Sequence, residues 1–354
     1  MRKICFVLPD HSGKPVGGYK MVFEYANRLT NMGYEIGIVF LNLHPINRFK
    51  LPMFAKKMMV NYLTSVEPKW FELDKRIEKI SGTSKTFKKK IRKYDSFVVT
   101  SYETVAPIYE LVGSKNNCYF IQGLETWYES RNIIEKTFNL GFKNIVIAQW
   151  LKKIVDSCAE KESVLIPNPI DLKVYKNNVK TEDKEKHTVG FLYNSYELKG
   201  CKYSLEAVKI LKKRYPDLKA FVFGNPERPS EYPDWIEYTH NASTEQTVEI
   251  YNKCSVFICS TIEEGYGLTG LEAIACGSAL CTTDYSGAKE YAIDGYNCLM
   301  SPIKDVDKMV DNVSYLFDNS LEMEMLIKNG LESVKKFDWD IALEKFKDVI
   351  ENAE

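Results

Sequence analysis

Two carboxylates eight residues apart, Glu264 and Glu272, stand in the run STIEEGYGLTGLEAIACG over 260–277. The run leaves an apolar stretch, crosses a loop holding Gly265 and Gly267, and enters a predicted helix near Thr269. A helix N-terminus presents unpaired N–H groups and a partial positive charge, and glycine lets the backbone come close to phosphate oxygens. Carboxylates beside an anion site are out of place for phosphates alone. An ionised carboxylate can, however, accept from two neighbouring hydroxyls at once. Phosphates lying between two hydroxyl-rich groups describe a nucleotide sugar. The spacing also admits a plainer reading, a helix whose acidic first turn is favoured by the dipole.

Other candidate clusters carry less. The nine cysteines contain no C-x-x-C pair and the four histidines are scattered at 11, 44, 187 and 240, so no zinc site is expected. Reduced, buried cysteines are expected instead. Asp305 and Asp307, and Asp338 and Asp340, form D-x-D pairs, but both precede helical runs, where Asp serves as a cap. No metal and no cofactor is expected. Forty-eight basic residues balance forty-eight acidic ones, which argues against a nucleic-acid partner. The balance hides a local excess: residues 50–93 hold 13 Lys/Arg against 4 Asp/Glu. Within them Lys85–Lys93, KTFKKKIRK, and the apolar Phe54, Met58, Met59 and Phe87 suit either a solvated face or an anionic membrane surface that the apolar residues enter. Trp127 and Tyr128 suit packing or stacking on a sugar ring.

These groups need elements to hold them. Apolar runs predict strands over 4–8, 36–41, 96–100, 118–121 and 144–148, with helical periodicity between them. A polar segment over 173–187 interrupts the alternation, which then resumes with strands over 188–193, 219–223, 255–259 and 278–282. Strands alternating with helices predict an α/β fold of two doubly wound, parallel-sheet, Rossmann-like domains. The expected division is 1–172, a linker over 173–187, a second domain over 188–337, and a C-terminal helix over 338–354 that crosses back to the first. Such sheets bind ligands beyond the carboxyl ends of their strands, so two of them facing across a cleft would share one ligand. A dehydrogenase is disfavoured, because Gly13, Gly17 and Gly18 do not form G-x-G-x-x-G. The longest stretch free of Asp, Glu, Lys and Arg is 12 residues, short of the roughly 18 a spanning helix needs. The run over 4–8 is also too short for a secretory signal. A cytoplasmic protein is expected, peripheral at the inner face of the cell membrane if the basic segment docks there.

The Glu264–Gly277 block resembles the E-x7-E motif of retaining GT-B glycosyltransferases of family four (glycosyl transferases group 1), where E-G-[FY]-G-L precedes L-E-A-x-A-x-G. Val16-Gly17-Gly18 resembles that family's first glycine-rich loop, and Ile166-Pro167-Asn168-Pro169-Ile170-Asp171 the I-P-N-G-V-D run ending its first domain. Lys199-Gly200 resembles the K-G of its second domain. The resemblance spans nearly the whole chain. It implies that Glu264 holds donor-sugar hydroxyls, that Glu272 holds the ribose, and that Lys199 neutralises leaving-group charge. Gly265, Tyr266, Gly267, Leu268 and Thr269 would form the donor loop, approached by Gly17 and Gly18 from the first domain. Base contacts are expected from His240 and Asn241 within 238–241.

Two departures stand out. Asn194 takes the place of the family's Arg, and Gln122-Gly123 stands where a His is common near the acceptor. Gln122 cannot titrate near neutral pH. The implied front-side substitution needs no side-chain base, because the leaving diphosphate takes the acceptor proton. The expected activity is therefore metal-independent, retaining transfer from a nucleotide sugar to a glycan or lipid-linked acceptor in cell-surface polysaccharide or glycolipid synthesis. The alternatives are a catalytically weak nucleotide-sugar-binding partner subunit, or a GT-B epimerase.

Overall fold

A computed structural model describes residues 2–44, 51–126 and 129–353 of the chain. It divides into two compact units, Met1–Pro167 with Ala342–Glu354, and Asn168–Ile341. Each unit is built on one parallel sheet. The first contains β1 (Lys3–Leu8), β2 (Glu35–Phe40), β3 (Glu78–Ser81), β4 (Ser96–Val99), β5 (Cys118–Ile121), β6 (Lys143–Val146) and β7 (Val164–Leu165). Their order across the sheet is β3-β2-β1-β4-β5-β6-β7. The second contains β8 (Thr188–Tyr193), β9 (Lys219–Gly224), β10 (Ile236–His240), β11 (Val256–Cys259), β12 (Ala279–Thr283) and β13 (Cys298–Ser301), ordered β10-β9-β8-β11-β12-β13.

The central strands are unbroken apolar runs because helices cover both faces. SFVV in β4, CYFI in β5 and VFIC in β11 are buried at every position. The edges read differently: β10, IEYTH, buries only its first residue. Winding reverses between β1 and β4 and between β8 and β11. Those are the switch points at which open α/β sheets leave a crevice beyond the strand ends.

The segment expected as a linker over 173–187 is packed into the second unit. Lys184 Nζ donates to the Cys254 carbonyl at 3.1 Å and to the Gly277 carbonyl at 2.6 Å, where two helices end. Asn178 N donates to Asn252 Oδ1 at 2.7 Å. The C-terminal helix Trp339–Glu351 starts in the second unit and from Ala342 belongs to the first. There Phe346 stacks on Tyr25 with centroids 4.1 Å apart and meets Phe120 edge-on at 5.6 Å. Asp305 caps the helix Val306–Asp318 by accepting from Lys308 N at 2.9 Å.

The basic segment needs correction as an insertion surface. Phe87 and Ile91, on the short helix Phe87–Ile91, are buried rather than available to a bilayer. Lys90 pairs with Glu78 at 3.1 Å, and Lys93 with Glu35 at 2.8 Å and Glu78 at 2.9 Å. The exposed apolar residues Met53, Phe54, Met58 and Tyr62 lie on the helix Met53–Val66, and Leu51 just precedes it. That helix connects β2 outward to β3, whereas Phe87–Ile91 leads from β3 back across the sheet to β4. Right-handed crossovers, the rule in about 98% of cases, set those two helices on opposite faces. The cations of 85–93 and the apolar side chains of 53–62 therefore do not form one surface.

Candidate functional site

In the second unit Lys199 and Glu264 converge on the β8/β11 switch point. Lys199 follows β8 and Glu264 follows β11, and the two loops are stitched together by their backbones. Ile262 N donates to the Leu198 carbonyl at 2.8 Å, and Ser260 Oγ donates to the Gly200 carbonyl at 2.7 Å. Gly200 has φ of 64°, and a Cβ there would lie 1.9 Å from the Ser260 carbonyl oxygen. Only glycine permits that approach. The result brings the Lys199 ammonium and the Glu264 carboxylate into a direct ion pair, with side chains 23% and 24% exposed. Both line a small hollow with Ser204, Thr261 and Thr269. A larger cavity lies at the amino ends of β8 and β9, among Lys184, Lys219, Phe221 and Trp235. It contains none of the predicted site residues, and Lys219 there is paired with Glu185 at 2.7 Å.

The helix Leu268–Ala275 starts beside the ion pair. Gly267, its N-cap, has φ of 91°, and a Cβ would fall 1.8 Å from Tyr285 Oη. Tyr291 Oη donates to the Gly267 carbonyl at 2.7 Å and lies 3.0 Å from Tyr285 Oη. Burial pushes both phenols well above their usual range, so they remain hydroxyl groups. This buried tyrosine pair shapes the turn whose N–H groups open the helix, and no motif had announced it. One turn further on, Glu272 is 8% exposed and its Oε2 accepts from Tyr251 Oη at 2.9 Å. Tyr266 is buried and Gly265 half-buried in the same loop.

Asn194 spends its side-chain oxygen locally, accepting from Tyr196 N at 2.8 Å, while its own N–H donates to Cys201 Sγ at 3.2 Å. It shapes the turn that delivers Lys199. His240 and Asn241 sit at the end of edge strand β10. His240 Nε2 is 2.9 Å from the Asn225 carbonyl and 2.9 Å from Asn241 Nδ2, which ties the β10 loop to the β9 loop.

In the first unit, Gly17 and Gly18 open the helix Gly17–Asn31, and Gln122 Nε2 donates to the Gly18 carbonyl at 3.1 Å. Gln122 Oε1 is buried with no partner among the described residues, and Gly123 is half-buried beside it. Trp127, with Tyr128, lies outside the described residues. A polar group missed in the sequence surrounds the β1/β4 switch point. His44 Nε2 meets the Glu103 carboxylate at 2.8 and 2.9 Å, and His44 N donates to Asp10 at 3.3 Å. Glu125, at φ of 53°, accepts from Tyr102 N at 2.9 Å and Ser101 Oγ at 3.2 Å. Burial pushes its carboxyl up to about 7, against the pull of those two donors. The only sequence signal for this group is that Asp10, His44, Glu103 and Glu125 each follow a strand.

With two doubly wound parallel sheets of seven and six strands, the fold is that of GT-B glycosyltransferases. The profile described as "Glycosyl transferases group 1" matches residues 176–333, which include Lys199, Glu264 and Glu272. An uncharacterized glycosyltransferase of Methanocaldococcus jannaschii is 23% identical over 208 residues, 56% of this chain and 56% of its own length. The N,N'-diacetylbacillosaminyl-diphospho-undecaprenol alpha-1,3-N-acetylgalactosaminyltransferase of Campylobacter jejuni is 26% identical over 154 residues, 42% of this chain and 40% of its own. The chain spans about half the length of the curated relatives it matches. The structure of Anabaena HepE in complex with UDP and glucose superposes with a TM-score of 0.75 at 13% identity, covering 99% of this chain and 100% of that one.

Proposed function

We propose that this chain is a retaining, metal-independent glycosyltransferase that moves a sugar from a nucleotide-diphosphate sugar to a glycan or lipid-linked acceptor. The observation that carries the reading is the Lys199–Glu264 pair at the head of the Leu268–Ala275 helix, with Glu272 one turn inside it. A cation and a row of helix-end N–H groups suit a diphosphate, and carboxylates on either side suit the sugar and ribose hydroxyls. The acceptor oxygen bonds to the anomeric carbon on the face from which the diphosphate leaves. The sugar–phosphate bond breaks with its electron pair going to the diphosphate, whose oxygen takes the acceptor proton. Lys199 and the N–H groups that follow Gly267 oppose the charge growing there, which is electrostatic preorganisation. Solved relatives with UDP and glucose, and a relative named for an undecaprenol-linked acceptor, support this class of donor and acceptor.

The membrane contact belongs to the Met53–Val66 helix in this reading. Phe54, Met58 and Tyr62 lie one turn apart and are 70%, 68% and 65% exposed, with Leu51 preceding them at 45%. No acidic residue occurs from 41 to 66, so the face suits an anionic bilayer.

A panel of UDP, GDP, dTDP and ADP sugars in a thermal-shift assay identifies the donor, because specific binding raises the midpoint. Transfer to a lipid-linked or oligosaccharide acceptor, with the product's anomeric configuration read by NMR, then tests the reaction. Inverted product, or epimer without transfer, would remove it. A second reading, a donor-binding subunit without turnover, draws on Asn194, whose oxygen is committed to Tyr196 N. Donor binding with no transfer to any acceptor would establish that instead.

A further inference from the structure

Glu272 is the sole ionisable residue of the helix Leu268–Ala275, and the helix is buried from Gly270 to Ala275. A carboxylate in that position needs donors to stay oriented toward a ligand rather than turn to water. The neighbouring helix Thr244–Lys253 supplies one. It is fixed at its start by a Ser243–Gln246 capping box and at its end by Ser278 Oγ, which donates to the Tyr251 carbonyl at 2.6 Å. The Tyr251 ring is fully buried, held edge-on by Phe257 at 4.9 Å and Phe223 at 5.7 Å, and tilted against Tyr175 at 6.5 Å. From this packed ring the hydroxyl donates to Glu272 Oε2 at 2.9 Å.

We propose that Tyr251 is a positioning residue for nucleotide recognition: its buried hydroxyl orients the Glu272 carboxylate toward the ribose hydroxyls of a nucleoside diphosphate. The inference rests on the assignment of Glu272 to the ribose made above. Burial, with the adjacent Glu272 charge, holds the phenol well above its ordinary range, so the hydroxyl donates across the whole working pH range.

Tyr251→Phe keeps the ring and removes the donor. Calorimetry with UDP and with 2′,3′-dideoxy-UDP, or the GDP pair if wild type prefers guanine, tests the idea. Tyr251→Phe should weaken binding of the full nucleotide about five- to tenfold, the scale of one ordinary hydrogen bond, because the tyrosine acts on the ribose only through Glu272. It should leave binding of the dideoxy nucleotide equal to that of wild type. An equal loss with both nucleotides would mean that Tyr251 only packs the helix, and the inference falls. Glu272→Gln, measured alongside, separates the two layers. If wild type binds both nucleotides equally, or Glu272→Gln shows no ribose-dependent loss, the ribose assignment itself fails. If Glu272→Gln shows that loss while Tyr251→Phe behaves as wild type, only the tyrosine inference is overturned. A protein that binds neither nucleotide refutes both.

Discussion

Glu125 offers the most quantitative test of the first unit. Burial pushes its carboxyl from the ordinary 4.5 up to about 7, with the Glu103 charge adding to it and the Tyr102 N–H and Ser101 hydroxyl opposing. The folded state therefore binds that proton more tightly than the unfolded chain. Below pH 4.5 both states carry the proton and the group costs nothing. As pH rises from 4.5 to 7 the unfolded carboxyl ionises freely while the folded one resists, so stability falls through that window and stays lower above it. At about 1.4 kcal/mol per pH unit the full cost is about 3 kcal/mol, and partial exposure to water brings the working figure to about 2 kcal/mol. Glu125→Gln keeps a carbonyl oxygen for Tyr102 N and removes the titration. Urea denaturation at pH 5, 6, 7 and 8 should show variant and wild type within about 0.5 kcal/mol at pH 5 and the variant about 2 kcal/mol more stable at pH 8. The carboxyl carbon of Glu125 in wild type should titrate near 7 by NMR. Parallel stability curves across pH, or a carboxyl that titrates near 4.5, would refute the account of this loop.

The two glutamates should divide their roles: Glu272→Ala weakens binding of the bare nucleoside diphosphate about 10- to 150-fold, from the loss of a charged hydrogen-bond partner, and Glu264→Ala spares that binding but depresses transfer. Calorimetry with UDP or GDP decides, and the reverse pattern would exchange the roles. Lys199→Ala should lower turnover more than about tenfold, while EDTA leaves wild-type activity within about twofold; strict dependence on added manganese would overturn the metal-free mechanism. Replacing Phe54, Met58 and Tyr62 by Ser should abolish sedimentation with anionic liposomes at low salt, and Lys88→Glu should change it little. Wild-type protein that ignores such liposomes would return this helix face to solvent.

What could be read in the sequence follows from where each residue's neighbours come from. The nine strands expected from apolar runs include every interior strand of both sheets. The four strands not anticipated, β3, β7, β10 and β13, are the four edges. An edge strand is covered less completely, so EKIS and IEYTH carry no continuous apolar run to announce them. The site divides in the same way. Glu264, Gly267 and Glu272 are legible because one strand–loop–helix passage of the chain holds all three. Tyr251, Tyr285 and Tyr291 were invisible, since each acts through a hydroxyl delivered from a different element. Asp10, His44, Glu103 and Glu125 come from the ends of four strands, and only the order β2-β1-β4-β5 makes them neighbours. Phe87 misled for a related reason: a lysine-rich run suggests a wet helix, but its two apolar residues face the sheet.

The pairing of Lys199 with Glu264 sets a condition on any visitor. The ammonium gives up least in turning toward a ligand's anion when that ligand also offers the carboxylate new donors. Inorganic phosphate or sulfate brings charge for the lysine and nothing for the glutamate, and a free sugar brings hydroxyls for the glutamate and nothing for the lysine. A molecule with a diphosphate joined to a sugar lets both partners exchange at once. If the proposed donor binds here, the ion pair acts as a two-key lock, favouring a ligand that carries both chemistries over one that carries either alone.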